Sequence, residues 1–242
     1  MNPTPGDAFG ELLRAAWTAR PSGTTYEIIE RDDSTIMAQP AERYFATPAD
    51  EPDLAAALDL ASGRVLDIGA GAGRCAVPLQ DRGTDVTALD VSPGALALCR
   101  ERGVRSTVLG TVFDHAGASY DTFLLYGNNL GLLGGPDTAP GFLSALSTLA
   151  APGARVVAEG MDPYRTDNPV HLAYHDLNRR RGRWPGQLRI RIRYQNLASD
   201  WFDYLFCSVA ELRTLLTGTG WRLADVLPRA EDRYLAVMAR DG

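Results

Sequence analysis

The stretch VLDIGAGAGR, Val65 to Arg74, sets three glycines, Gly69, Gly71 and Gly73, just behind a carboxylate, Asp67. Glycine permits a tight turn and lets a ligand approach bare backbone. The free amides of a helix opening behind that turn favour a negative group. Two ligand classes use such a turn, dinucleotides and S-adenosylmethionine (SAM). A dinucleotide turn needs the spacing G-x-G-x-x-G, whose last small residue lets helix and strand pack closely. Here the spacing is G-x-G-x-G, and Arg74 stands where the final glycine would be. Asp67 would repel a pyrophosphate but suits a ligand that carries an ammonium and a sulfonium. The residues favour SAM over NAD. Asp90 ends the next strand pattern, 21 residues after Gly69. Its two oxygens can accept both hydroxyls of a ribose, which either ligand would offer.

A second chemical group lies between Met161 and Cys207. His171 and His175 are spaced to share one helical face, and imidazole titrates near neutrality, so both are candidate general bases. The alternative is that they pack or solvate that segment. A metal site would need a third ligand, and none is identifiable. Glu159, at the end of a predicted strand, is a further candidate base. Arg189, Arg191 and Arg193 alternate with Ile190, Ile192 and Tyr194, which gives one cationic and one apolar strand face. With Arg179 to Arg181 and Arg183, the cationic face reads either as an attractor for a carboxylate, phosphate or acidic phenol, or as a solvated face paired with Asp and Glu. Trp184, Trp201, Phe202, Tyr204 and Phe206 form an aromatic pocket or the segment's own small core.

These residues need elements to position them. From Arg64 onward the pattern alternates strands with helices: Val65–Ile68, a helix through about Asp81, Val86–Asp90, a helix capped by Ser92 and Pro93 and closed at Gly103. Strands at Ser106–Leu109 and Thr122–Tyr126 follow, then a helix over Phe142 to Leu149 and a strand over Arg155–Glu159. Pro78, inside the first of these helices, is expected to kink it. The rhythm breaks at Met161 and resumes with a helix capped at Ser208 and strands over Trp221–Val226 and Tyr234–Ala239. This predicts an α/β fold with a doubly wound, mostly parallel sheet. Residues 1–62 read as an N-terminal extension with a helix (Phe9, Leu12, Leu13, Ala16, Trp17), a hairpin around Asp32-Asp33-Ser34, and a helix near Asp50–Gly63 that buries Leu54, Leu58 and Ala61. Residues 63–160 read as the ligand-binding core, 161–207 as a lid inserted over the ligand crevice, and 208–242 as the completion of the core sheet.

Composition narrows the chemistry. The 242 residues contain 24 Arg and no Lys, which excludes a pyridoxal Schiff base and a phosphate-binding P-loop lysine. Cys75, Cys99 and Cys207 are odd in number and widely spaced, neither a metal pattern nor a disulfide framework, and read as apolar filling. A net charge of −6 opposes nonspecific nucleic-acid binding. No apolar run approaches the roughly 18 residues that cross a bilayer, and no signal sequence opens the chain, so a cytoplasmic location is expected, with neither nucleic acid nor membrane as partner.

VLDIGAGAGR, followed by VTALDVSPGAL and YDTFLLYGNNLGLLGG, resembles the class I SAM-dependent methyltransferases, in particular their small-molecule branch. The resemblance covers about 63–160 and 208–240 and implies a Rossmann-like, seven-stranded sheet whose last strand is antiparallel. It implies SAM as cofactor, S-adenosylhomocysteine as product, and a small-molecule methyl acceptor methylated on O, N or C, which the arginines and aromatics of 161–207 would make anionic or aromatic. It places Asp67, Gly69 and Gly71 around the methionine end, Asp90 on the ribose, and Val91, Val112 and Phe113 beside the adenine. Asp114 stands nearest to the acidic residue that the family often sets near the adenine amino group. Tyr126, Asn128 and Asn129 follow the fourth core strand, where the family has its reacting centre; outside the resemblance, Tyr174 and Arg191 of the 161–207 segment are read as candidates toward the acceptor. Tyr44 is similar to an aromatic that reaches the cofactor carboxylate. The Asn/Asp-Pro-Pro-Tyr/Phe signature of nucleobase and glutamine N-methyltransferases is missing. A SAM-fold enzyme with non-methylating chemistry and a non-catalytic SAM-binding regulator remain the alternative readings.

Overall fold

The first helix forms because its apolar residues recur on one stripe and its N-terminus is capped. The computed structural model describes residues 3–229 and 232–240. After the two-residue strand β1 (Thr4–Pro5), α1 (Ala8–Ala19) opens with Asp7 accepting from the Gly10 amide. It buries Leu12, Leu13 and Ala16 against Phe45, Ala72, Ala95 and Leu98. The hairpin β2 (Tyr26–Arg31) and β3 (Ile36–Pro40) follows, then α2 (Pro52–Leu60), which buries Leu54 and Leu58 while Ala61 caps its end.

The core begins at β4 (Arg64–Ile68), with α3 (Ala76–Asp81), β5 (Asp85–Asp90), α4 (Pro93–Glu101), β6 (Ser106–Leu109), β7 (Tyr120–Leu125), α5 (Ala139–Leu149) and β8 (Ala150–Met161). Pro78 does not kink α3, contrary to the expectation. The helix starts only at Ala76, so Pro78 lies in the first turn, where its missing N–H has no helical partner to lose. Then come α6 (Pro169–Arg180), β9 (Gln187–Tyr194), β10 (Leu197–Ala198) and β11 (Phe202–Leu205). A capping box of Ser208 and Glu211 starts α7 (Val209–Leu216), and β12 (Trp221–Pro228) and β13 (Arg233–Arg240) end the described chain.

The described residues form two sheets. The larger runs β12-β13-β8-β7-β4-β5-β6, with β13 antiparallel to both its neighbours. Order reverses at β4, which pairs with β5 on one side and β7 on the other, so the ligand crevice of such a sheet opens beyond the carboxyl ends of β4 and β7. The smaller sheet runs β1-β10-β9-β2-β3, with β11 also on β9. Sequence reasoning treats the N-terminal extension and the 161–207 segment as separate appendages. In the structure β2 pairs with β9 in register Glu30↔Arg191, so the two build one sheet. No described helix is long and apolar enough to cross a membrane.

Candidate active site

The turn after β4 closes tightly because its glycines take left-handed conformations, φ +70° at Gly69 and +54° at Gly71. A Cβ on Gly69 would stand 2.5 Å from the Asn129 side chain, so no larger residue fits. Asn129 donates to the carbonyls of Ile68 (3.0 Å) and Gly69 (3.1 Å), which locks the turn after β7 to the turn after β4. Its amide is thus spent on the backbone, although sequence reasoning assigns it to the acceptor.

Asp67 is 2% exposed, and its Oδ2 has no hydrogen-bond partner. Burial raises its carboxyl to about 7, against the lowering pull of the Arg74 guanidinium. Asp90 accepts from the amides of Gly71 and Ser92, each at 2.8 Å, and burial raises its carboxyl too. Asp7 joins α1 to α4: its carboxylate accepts from Gly10, the Ser92 hydroxyl and the Gly94 amide. Gly10 and Gly94 lie so close that a Cβ on Gly10 would approach the Gly94 Cα to 2.7 Å. Arg74 packs against Gly127, lies over the Tyr126 ring and pairs with Glu51 at 3.5 Å, while the Tyr126 hydroxyl donates to Glu51 at 2.6 Å. The place where a dinucleotide turn needs a small residue is filled by this side chain.

One cavity of about 1080 Å³ lies between the two sheets. Asp67, Gly69, Gly71, Asp90 and Val91 line it from the core sheet, with Tyr126, Asn128 and Asn129 from the turn after β7. Tyr44 lines it from the N-terminal segment, and His171, Tyr174 and His175 line it from α6. Val91 projects 66% exposed, an apolar surface that nothing in the chain covers fully. Asn128 sits at φ +65° with its amide donating to Glu159 at 2.8 Å and its carbonyl accepting from the Tyr204 hydroxyl at 2.6 Å.

Four sequence-derived residues fall elsewhere. Val112 is buried in the core with Leu89 and Phe123, so its side chain does not reach the cavity wall. Asp114 accepts from the amide and hydroxyl of Thr111, closing its own loop outside the cavity. Phe113 is 64% exposed and meets Phe142 edge-on at 6.2 Å, also outside the wall. Arg191 pairs with Glu30 at 2.9 Å and stacks on Trp201. Leu188, Ile190 and Ile192 line the cavity instead, because side chains alternate along β9 and the arginines occupy the far face. Glu30 also holds Arg193 there.

The histidines differ in environment. The His171 Nδ1 lies 3.3 Å from the Thr166 hydroxyl. His175 is buried, and burial with the Arg179 and His171 charges lowers its pKa, which keeps it neutral at pH 7. Tyr174 is buried, donates to Asp32 at 2.6 Å and has the Arg31 guanidinium over its ring at 3.9 Å. This ties α6 to the hairpin tip. Phe202, Tyr204 and Phe206 form an edge-to-face chain along one cavity wall, whereas Trp184 packs on the core. The three cysteines are buried and unpaired.

Sequence reasoning missed Glu27, Arg43 and Asp7, all of which line the cavity. Glu27 lies in YEIIER, where each strand face carries both charged and apolar residues, so alternation alone does not show which face turns inward. Only the β2–β9 pairing decides it.

Residues 65–153 match the family model described as a methyltransferase domain. The match takes in the glycine turn, the buried Asp67 and the reversal of strand order, and over it the chain is similar to a methyltransferase domain. The chain is similar over 100% of its length, and 98% of the other's, to a SAM-dependent methyltransferase from Bacteroides fragilis solved with S-adenosyl-L-homocysteine, at 23% identity and TM-score 0.81. It is also similar to the Burkholderia thailandensis 1,6-didemethyltoxoflavin-N1-methyltransferase (23% identity, TM-score 0.53, 80% of each chain). The glycopeptide N-methyltransferase MtfA, solved with SAM, shares 18% identity and a TM-score of 0.57 over 81% of this chain and 91% of its own. At such identities the likeness establishes the fold. A search of curated protein sequences found no match.

Proposed function

We propose that the enzyme methylates a nitrogen of a small molecule seated between the core sheet and the apolar face of β9 and β11. The observation that carries this reading is one continuous cavity: one end is the glycine turn with Asp67 and Asp90, the other an apolar and aromatic wall from the smaller sheet. The fold of two N-methyltransferases supports nitrogen as the acceptor atom.

The donor end fits SAM on a property of this chain: Asp67 Oδ2 is a buried acceptor without a partner, which an ammonium would satisfy. Asp67 and the Gly69–Gly71 backbone would hold the methionine end, Asp90 the ribose hydroxyls, and the exposed Val91 side chain one face of the adenine. When bound, SAM supplies an electrophilic methyl group on a sulfonium. The chain's own task is to align the nucleophile, exclude water and accept a proton. His175, buried and neutral, and His171 beside it can take the proton that the methylated nitrogen releases. The outward turn of Arg191 takes that cation away from the cavity, which Arg165 and Arg233 still line, and the apolar and aromatic wall of β9 and β11 favours an aromatic acceptor.

The test is formation of S-adenosylhomocysteine, followed by mass spectrometry, with SAM and a panel of aromatic amines, phenols and carboxylates. Turnover of amines supports the reading. Turnover confined to carboxylates or phenols would replace it. Replacing His171 and His175 separately by Gln tests the proton acceptor, and full turnover by both variants would retire it.

A further inference from the structure

Glu27 is a carboxylate 1% exposed, on the face of β2 that lines the cavity, and the catalytic scheme above does not use it. Its oxygens accept from three donors: the Tyr44 hydroxyl at 2.9 Å, the Gln39 amide at 2.9 Å and the Arg43 guanidinium at 3.1 Å. A phenol has one proton to donate. Tyr44 gives it to Glu27 while accepting from Arg43 at 2.9 Å. The Tyr44 oxygen therefore has only lone-pair density left to offer a ligand. This conflicts with a role for Tyr44 as donor to the cofactor carboxylate, the role that family resemblance implies.

Position says what the oxygen can meet. Phe9 stacks edge-on against Tyr44 at 5.2 Å and is the nearest side chain to the Gly71 Cβ position, 3.7 Å away. On the other side the carbonyl of Arg43, next to Tyr44 in the chain, accepts from the Arg74 guanidinium at 3.2 Å, and Arg74 packs against Gly127 in the turn after β7. Tyr44 is thus bracketed by the glycine turn and the turn after β7, the two walls between which the donor's sulfur end would lie.

Building on the SAM reading above, we propose that Glu27 is a positioning residue that fixes the Tyr44 hydroxyl as an acceptor aimed at the positively charged sulfur end of the donor. The pair then favours the sulfonium of SAM over the neutral thioether of S-adenosylhomocysteine, which helps product leave. The Glu27 charge adds to the preference because a buried negative charge is weakly screened. Arg43 offsets part of it but is itself 40% exposed, whereas Glu27 is not.

Calorimetry on the full chain tests this without an acceptor. SAM and S-adenosylhomocysteine are titrated separately into wild type, Glu27→Gln and Tyr44→Phe. Glu27→Gln keeps the size of the side chain but lets the amide donate to Tyr44, which frees the phenol proton to turn inward. The expected result is a loss of SAM affinity on the order of tenfold, with S-adenosylhomocysteine affinity within about twofold, in both variants. The unchanged product affinity also shows that the variants fold. Equal losses for both ligands would make Glu27 purely structural, and unchanged affinities would make it idle, and either result overturns the proposal. Failure of the wild type to bind either ligand would instead sink the SAM reading itself.

Discussion

The two ends of the cavity are built in opposite ways. The donor end comes from residues close in sequence: Asp67 to Arg74 and Asp90 to Ser92 sit on adjacent parallel strands, and the turn after β7 is pinned to them by Asn129. The acceptor end is assembled from segments far apart, with Arg31 and Asp32 of the hairpin meeting Val170 and Tyr174 of α6 across some 140 residues. The donor end is anchored in buried strands; the acceptor end is held by polar links between surface elements. Such links open at lower free energy than core packing does. Specificity can then change there without disturbing the donor end.

The sharpest way to break that division is to remove a donor-end anchor. Asp90→Ala deletes both oxygens proposed to accept from the ribose, together with the braces on Gly71 and Ser92. At about 1.5–3 kcal/mol for each charged hydrogen bond, SAM affinity should fall by roughly 100-fold or more. Calorimetry gives the number, and circular dichroism shows whether the fold persists. An unchanged dissociation constant would remove Asp90 from the site.

Gly10→Ala tests whether the two ends share a joint. Its Cβ would press on the Gly94 backbone, Asp7 and Ser92, where α1 crosses the start of α4. Overpacking of this kind costs about 1–3 kcal/mol, read from the midpoint of urea unfolding. Because Ser92 adjoins Asp90, SAM affinity should fall with it. Lost stability with intact affinity would show that α1 serves packing only.

A pH titration reaches the donor end without mutation. Asp67 is raised by burial to about 7 from 3.8. As pH climbs from 4 to 7 the unfolded chain releases this proton and the folded chain retains it, so Asp67 ionisation lowers apo stability across that window. Pairing with an ammonium needs the ionised form. SAM affinity should therefore fall about tenfold between about pH 7 and about pH 5.5, over which the donor's ammonium stays charged. Asp67→Asn should flatten that slope; a slope that survives the substitution would place the titrating group elsewhere.

The contrast also explains how much was legible beforehand. The core strands, the Ser92 and Ser208 caps and the glycine turn follow from local patterns, because period-2 apolar runs, capping residues and left-handed glycines act over a few positions. Asp67, Asp90 and Tyr126 were readable because each sits at a strand end fixed by those patterns. Arg191 and Val112 were misassigned because a face must be chosen, and pairing partners 160 residues away choose it: Glu30 draws the arginines outward, and the core closes over Val112. Glu27 and Arg43 gave no signal, since a charged residue on a short hairpin is ordinarily solvated.

A gentler test loosens only the acceptor end. Tyr174→Phe keeps the ring under Arg31 and removes the bond to Asp32, at a cost of about 1 kcal/mol. Amide exchange should quicken in 169–180 and in the hairpin, with 64–90 unchanged. Equal acceleration in both regions would mean that the two ends open as one unit and would dissolve the distinction.

The smallest effect is expected from Arg191→Ala. The substitution removes a half-shielded ion pair with Glu30 and a stack on Trp201, together worth about 1 kcal/mol of stability. Arg193 stays beside Glu30, so the carboxylate keeps a partner. Since the guanidinium lies on the face of β9 turned away from the cavity, SAM affinity and the relative turnover of amine and carboxylate acceptors should both stay within about twofold of wild type. A selective loss with carboxylates would mean that β9 presents its arginines to the acceptor after all, and the apolar wall assigned to Ile190 and Ile192 would have to face solvent. A one-residue register shift of β9 against β2 would do that, and it would part Arg191 from Glu30, which keeps its place on the outer face of β2.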